Sequence, residues 1–278
     1  MQQLTGVAGG VPYVALPPET APEGAPLVVA WHLHDPPRSE AAMAAALPLD
    51  GLPAWRVYLG LPLSGSRLPE GGLEAFFQLG YQDAVLKVFD PTCRQAVEEF
   101  PSALAALRQA LPVGDGPLGL VGGSVGALVA ASVLAETDLP VAAVALVSPA
   151  IRLAAVVALN ERRFGVTYPW TTQSRAVAAR LDFVARAEEL VKRDAAVLLV
   201  VGALDDEEGI WAPAEQLWQA LSRHAPDRTA LVSIPEMVHA LAEEPGLDPA
   251  PQTPHAARVD TAVAGWFHRH LTGSRPAS

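Results

Sequence analysis

Twenty consecutive residues without a charge, Gly116 to Ala135, constrain this chain more than any other stretch. They open as Gly116-Pro-Leu-Gly-Leu-Val-Gly-Gly, pass through Ser124-Val-Gly126, and run on as Ala-Leu-Val-Ala-Ala-Ser-Val-Leu134. The length would span a bilayer, but five glycines and a proline crowd its first eleven residues and a helical pattern begins only after Ser124. A buried strand followed at once by a buried helix accounts for the run better. So sharp a strand-to-helix turn forces a strained backbone on Ser124 and demands small neighbours, which Gly122, Gly123 and Gly126 supply. The strain lifts the Ser124 hydroxyl above the sheet edge and sets the positive end of the helix beneath it.

Other apolar runs share this buried character. Leu27-Val-Val-Ala-Trp-His32, Val141–Val147 and Ala196–Val201 have strand length and little alternation, as expected where a strand is covered on both faces. Trp55–Leu61, Leu118–Val121 and Ala230–Ile234 read as further strands. At the start, Leu4–Ala8 and Val11–Leu16 flank Gly9-Gly10 as a hairpin, and Pro12 confines its second strand to an edge or near-edge position. Pro17 through Pro26 reads as a proline-rich surface loop. Helical composition marks Arg38–Leu47, Leu73–Gly80, Cys93–Leu111, Val125–Glu136 and Ala256–Leu271.

This alternation calls for an α/β chain with a mostly parallel, doubly wound sheet of eight strands and an antiparallel edge. The whole chain, 1–278, reads as a single domain. Residues 151–194 exceed what a crossover helix requires and are largely helical, with a break at Gly165-Val-Thr-Tyr-Pro-Trp170. They are expected to form an insertion. Thr272–Ser278 is expected to be a disordered tail.

The formal net charge of −11 leaves no basic stripe to neutralise phosphates, which argues against nucleic-acid binding and against adhesion to anionic membranes. Cys93 is the single cysteine, so no intramolecular disulfide forms, and nothing near it suggests a redox or nucleophilic role. The first residues lack a basic segment followed by an apolar one, so the expected compartment is the cytoplasm.

In open α/β sheets, ligands gather at the carboxyl ends of the parallel strands. Three reactive side chains follow such ends: Ser124, then Asp205 in Gly202-Ala-Leu-Asp205-Asp206, then His239 in Pro235-Glu-Met-Val-His239. A serine hydroxyl is scarcely ionised near neutral pH, and an imidazole can take its proton during attack and return it to a leaving group. A carboxylate fixes the imidazole tautomer and stabilises the imidazolium. Among rivals, Asp206 adjoins Asp205, His255 lies in a proline-rich stretch, His268 and His270 flank Arg269, and His224 precedes the last strand.

On Gly122-Gly-Ser124-Val-Gly126, the Gly202–Asp205 turn and the late His239, the chain resembles the α/β-hydrolase superfamily over nearly its whole length, with the order Ser, Asp, His that this superfamily uses. The resemblance implies Ser124 as nucleophile, His239 as general base and acid, and Asp205, by the Gly-x-x-Asp spacing, as orienting carboxylate. It implies an oxyanion hole built from the Val125 N–H and a second N–H in the loop after Leu27–Trp31. Where the superfamily commonly carries His-Gly, this chain has His32-Leu33-His34-Asp35, so His34 is the expected donor and Leu33 the alternative. His32 reads as a buried structural histidine.

Residues 151–194 stand where the superfamily inserts a cap over the site, so Tyr168 and Trp170, with Trp211 beyond the acid turn, are candidates for lining a substrate pocket. The expected reaction is cofactor-free hydrolysis of a small carboxylic ester through an acyl-enzyme. A thioesterase, acyltransferase, lactonase or peptidase would use the same parts, and a non-catalytic binding protein is the reading from a different class. No metal is expected, because the His32/His34 spacing lacks a third ligand. Dinucleotide fingerprints are absent. The sequence leaves open whether the chain is a monomer or a homodimer.

Overall fold

The long apolar runs lie side by side in the middle of one sheet. The computed structural model describes residues 3–19 and 24–272. Its strands are β1 (Leu4–Ala8), β2 (Val11–Leu16), β3 (Ala25–Trp31), β4 (Trp55–Leu59), β5 (Val113–Gly123), β6 (Val141–Val147), β7 (Ala196–Gly202) and β8 (Thr229–Ile234). They pair in the order β1-β2-β4-β3-β5-β6-β7-β8. The β1–β2 and β2–β4 pairs are antiparallel and all others are parallel. β2 is thus second from the edge, where Pro12 faces Val7 and its carbonyl accepts from Gly60 N–H at 2.9 Å.

The runs lack polar alternation because each face of the sheet has its own core. In β3, Leu27, Val29 and Trp31 pack on one side while Val28 and Ala30 pack on the other; in β7, Val197, Leu199 and Val201 oppose Ala196, Leu198 and Val200. Helices α1 (Glu40–Ala46) and α9 (Pro254–His270) cover the second face. The first is covered by α3 (Asp90–Ala110), α4 (Val125–Glu136) and α8 (Ala212–Ser222). Every residue of α4 except Glu136 is buried, because α3 lies over the side turned away from the sheet. That is why this helix has no polar face.

One element was not among the expectations. Residues between β7 and β8 form α8, the crossover that two adjacent parallel strands require, entered through a π-helical turn at Glu207–Trp211. Helix α2 (Gly72–Ala84) outgrows the expected Leu73–Gly80 and passes through a kink at Asp83 and a π-helical turn, Val85–Phe89, into α3. β5 extends back to Val113, and α1 begins at Glu40 because the Ser39 hydroxyl accepts from Ala42 N–H at 3.0 Å. The expected tail falls almost entirely outside the described residues, as do residues 20–23 of the proline-rich loop.

Residues 151–194 form three helices, α5 (Leu153–Phe164), α6 (Thr172–Arg180) and α7 (Ala187–Val191). This segment is tied to the helices that follow β4 and to the turn that follows β7. Arg162 of α5 pairs with Asp206 at 2.9 Å, and α5 packs on the Glu207–Trp211 turn. Arg180 of α6 pairs with Asp90 at 2.8 Å, and the Tyr168 hydroxyl donates to Asp83 Oδ1 at 2.6 Å. Among the described residues, no helix is long and apolar enough to cross a membrane.

Candidate active site

Ser124 sits between β5 and α4 with φ 48° and ψ −114°, a conformation that a residue with a side chain rarely adopts. Its surroundings hold it there. Ser124 N–H donates to Val147 O at 2.9 Å, and Ser124 O accepts from Ala127 N–H at 2.9 Å and Ala150 N–H at 3.3 Å. The turn closes only because nothing protrudes at Gly122 and Gly126: a Cβ at the former would stand 2.1 Å from Gly126 O, and one at the latter 2.5 Å from Trp31 O. Leu33 fills the space left bare by Gly123, where a Cβ would meet its Cδ1 at 2.2 Å. The leucine that departs from the His-Gly pattern is thus packed against a glycine of the turn.

The other two side chains arrive on loops stitched to each other. Ala203 N–H donates to Ile234 O and Leu204 N–H to Met237 O, each at 2.9 Å, so the Asp205 turn and the His239 loop run together. A Cβ on Gly202 would stand 2.3 Å from Met237 O, which explains the glycine. His239 Nδ1 lies 2.9 Å from Asp205 Oδ2 and 3.1 Å from Oδ1, and its Nε2 lies 2.9 Å from Ser124 Oγ. An ionised carboxylate only accepts, so the network assigns the proton to Nδ1 and leaves Nε2 to accept from the serine hydroxyl.

The structure separates Asp205 from its neighbour. Asp205 is almost fully buried and also accepts from Asp206 N–H at 2.8 Å. Asp206 instead caps the π-helical turn by accepting from Gly209 N–H at 2.6 Å, and pairs with Arg162. The rival histidines lie elsewhere. His255 is in the first turn of α9 rather than in a loop, His268 Nδ1 meets Thr272 Oγ1 at 2.8 Å, and His270 stacks on Trp266 with centroids 4.1 Å apart. His224 lines a separate hollow with Glu188 and Arg223.

Burial works against a charged imidazole at His239. The hydrogen bond to Asp205 and the charges of Asp205 and Asp35 outweigh it, with Arg163 opposing them, so the pKa stands above its ordinary value. His32 is the contrary case: burial carries it down to about 4. Its Nδ1 lies 2.8 Å from Leu33 O, and its Nε2 accepts from Leu61 N–H at 3.1 Å. Both nitrogens are spent on backbone, as befits a structural residue.

The loop after β3 carries the remaining polar groups. Leu33 N–H donates to Pro37 O at 3.1 Å, so Leu33, one of the two residues expected to supply an N–H there, has none to offer. The N–H groups of His34 and Val125 have no protein acceptor among the described residues. The His34 ring lies edge-on to Phe76 (centroids 5.0 Å apart) and near Phe89, and burial drives its pKa down to about 3. Arg38 clamps this loop to the one after His239: it donates to His34 O at 2.7 Å and Pro245 O at 2.8 Å and pairs with Glu244, while Leu241 N–H donates to Pro36 O at 2.9 Å.

A hollow of about 300 Å³ opens beside His239, with Asp35, Arg163, Leu204, Ala240 and Glu244 in its wall. None of the three aromatics expected near substrate lines it. Tyr168 reaches Asp83 and packs on Trp170 with centroids 4.9 Å apart, Arg175 covers Trp170, and Trp211 Nε1 donates to Gly202 O at 3.1 Å. Sequence reasoning did not assign Asp35, Arg38 or Arg163 to the site. Asp35 was within reach of it, one residue past the expected oxyanion donor; Arg163 lies in a different element, and nothing local marks it.

No family profile and no curated protein sequence matches the chain. Solved structures do. The esterase domain of a Rhodothermus marinus protein is 17% identical, with 97% of this chain and 98% of that chain covered and a TM-score of 0.58. Carboxyl esterase 2 from the mycorrhizal fungus Tuber melanosporum is 19% identical, with 97% and 86% covered and a TM-score of 0.60. A puromycin-hydrolyzing peptidase of Mycobacterium tuberculosis is 19% identical at a TM-score of 0.65, with 99% of this chain and 41% of that chain covered. The fold is the α/β-hydrolase fold.

Proposed function

We propose that this chain is a serine hydrolase that cleaves carboxylic esters through Ser124, His239 and Asp205. The observation that carries the reading is the unbroken hydrogen-bond chain from Ser124 Oγ through His239 to buried Asp205. Ser124 Oγ attacks the acyl carbon as its proton passes to His239 Nε2. The imidazolium then protonates the leaving alcohol as the carbon–oxygen bond breaks, and a water activated by His239 releases the acid from the acyl-enzyme. Asp205 holds the tautomer and balances the imidazolium.

The N–H groups of Val125 and His34 are the proposed oxyanion donors, Val125 being the first residue of α4, where the helix dipole adds positive potential. In this scheme side chains and backbone alone carry the acyl transfer. Residues 151–194 act as a partial cap, joining the loops around the site rather than closing over it. A second reading, amide cleavage on the same triad, is supported by the likeness to the puromycin-hydrolyzing peptidase.

A fluorophosphonate probe tests the enzyme reading. Labelling lost in Ser124→Ala is expected; equal absence of labelling in wild type and variant would leave a binding protein on a hydrolase fold. Matched p-nitrophenyl esters, thioesters, lactones and p-nitroanilides then rank the substrate classes, with the ester expected first.

A further inference from the structure

Four carboxylates line the hollow beside His239, and three have a partner of opposite charge or a defined hydrogen bond. Glu244 pairs with Arg38, Asp206 with Arg162, and Asp205 with His239 Nδ1. Asp35 has no arginine or lysine partner among the described residues. Its Oδ2 lies 3.7 Å from His239 Nε2, the edge of the ring opposite Asp205, where Ser124 Oγ also sits at 2.9 Å. About a third of its side chain is exposed, toward the hollow.

From this geometry we infer that Asp35 is a positioning residue, a second carboxylate that steadies the proton in transit on His239 Nε2. The inference rests on His239 acting as the base. In the resting enzyme Nε2 carries no proton and accepts from Ser124, so Asp35 gains little from it. As the Oγ–carbon bond forms, the Ser124 proton moves to Nε2 and the imidazolium stands between two carboxylates. When the carbon–oxygen bond to the leaving group breaks, that proton goes to the leaving oxygen. Asp35 neither takes nor gives a proton at either step. It attracts the charged ring only while that charge exists, which is the differential interaction that lowers a barrier.

The backbone on either side of Asp35 is held in place. Its loop is tied through His34 O to Arg38 and through Pro36 O to Leu241 N–H, and thus to the segment that carries His239. The charged groups around the ring come from four elements: Asp205 and Asp206 after β7, Asp35 after β3, Arg163 at the end of α5, and Glu244 beyond His239 itself. Arg163 opposes the imidazolium, Glu244 and Asp206 are already paired, and Asp205 holds the other nitrogen. Asp35 is left as the group whose removal changes the Nε2 edge alone.

The test is an NMR pH titration of the His239 ring, its signal assigned by loss in His239→Gln, in wild type, Asp35→Asn, Asp35→Ser and Asp35→Glu. The two neutral variants are expected to titrate about one pH unit lower than wild type, and the acidic limb of kcat/KM to move down with them, as for loss of an opposite charge within about 4–6 Å. Asp35→Glu is expected to recover most of the shift. Titration unchanged in both neutral variants, with fluorophosphonate labelling intact, would overturn the role of Asp35 and leave the hydrolase reading standing. A shifted titration in a protein whose Ser124 never labels would support the Asp35–His239 coupling and overturn the hydrolase reading.

Discussion

His32 and His239 both stand just beyond strands of one sheet, and their surroundings drive them in opposite directions. His32, at the end of β3, is fully buried, offers both nitrogens to backbone groups, and stays neutral down to a pKa of about 4. His239, in the loop after β8, also loses solvation, yet Asp205 on one edge and Asp35 on the other raise its pKa. Burial alone makes a histidine inert. Burial beside carboxylates leaves it able to take up a proton.

The sharpest way to break this contrast is at His239. His239→Ala and Ser124→Ala should each lower ester turnover by roughly 10⁴-fold or more and by similar factors, because parts that act as a unit fail as a unit. Near-native turnover in His239→Ala would remove it from the mechanism. Next comes the carboxylate pair: Asp205→Asn should cost roughly 10³–10⁴-fold in kcat through loss of the tautomer. Asp206→Asn, which touches a helical turn and Arg162, should cost less than about tenfold. A reversed order of these two losses would transfer the role to Asp206.

At His32 the expected loss is of stability rather than chemistry. His32→Leu leaves Leu61 N–H and Leu33 O unpaired in the core and should destabilise by about 2–4 kcal/mol in urea unfolding, with residual folded enzyme still labelled by a fluorophosphonate. Labelling abolished in a protein of unchanged stability would contradict the structural role.

The same contrast extends to pH. Because the folded pKa of His32 lies below the unfolded value of about 6.5, the unfolded chain takes up a proton first as pH falls. The His32 contribution to stability is therefore complete above about pH 6.5 and is lost between there and about pH 4, amounting to about 3 kcal/mol in unfolding free energy. His32→Leu should flatten that slope. The raised pKa of His239 has the opposite sign: its contribution is complete below about pH 6.5 and fades as pH rises through the folded value. The acidic limb of kcat/KM should correspondingly lie above pH 6.5.

Much of the fold was legible because its determinants are local. Runs such as Val141–Val147 and Ala196–Val201 have only one comfortable place, a strand between two cores, and Gly122, Gly126 and their neighbours announce the turn at Ser124 through the absence of side chains. α8 was missed since Ala212–Ser222 is a short segment whose apolar side becomes meaningful only against β7 and β8. At the site, the residue types and their order along the chain were readable, but their partners were not. The aromatics Tyr168, Trp170 and Trp211 looked suited to a pocket, whereas their polar atoms and rings are engaged by Asp83, Arg175 and Gly202.

By itself the sequence determined the alternation of strands and helices, the strained serine turn, and the three side chains that follow strand ends, since each depends on residues close together in the chain. Only the tertiary structure decided which of two adjacent aspartates faces the imidazole, which N–H after β3 is left unspent, and that a carboxylate more than two hundred residues before His239 stands 3.7 Å from its Nε2. Those outcomes depend on loops from distant strands being stitched together by backbone hydrogen bonds and by Arg38. No local pattern encodes the distance between groups that meet only when the sheet has formed.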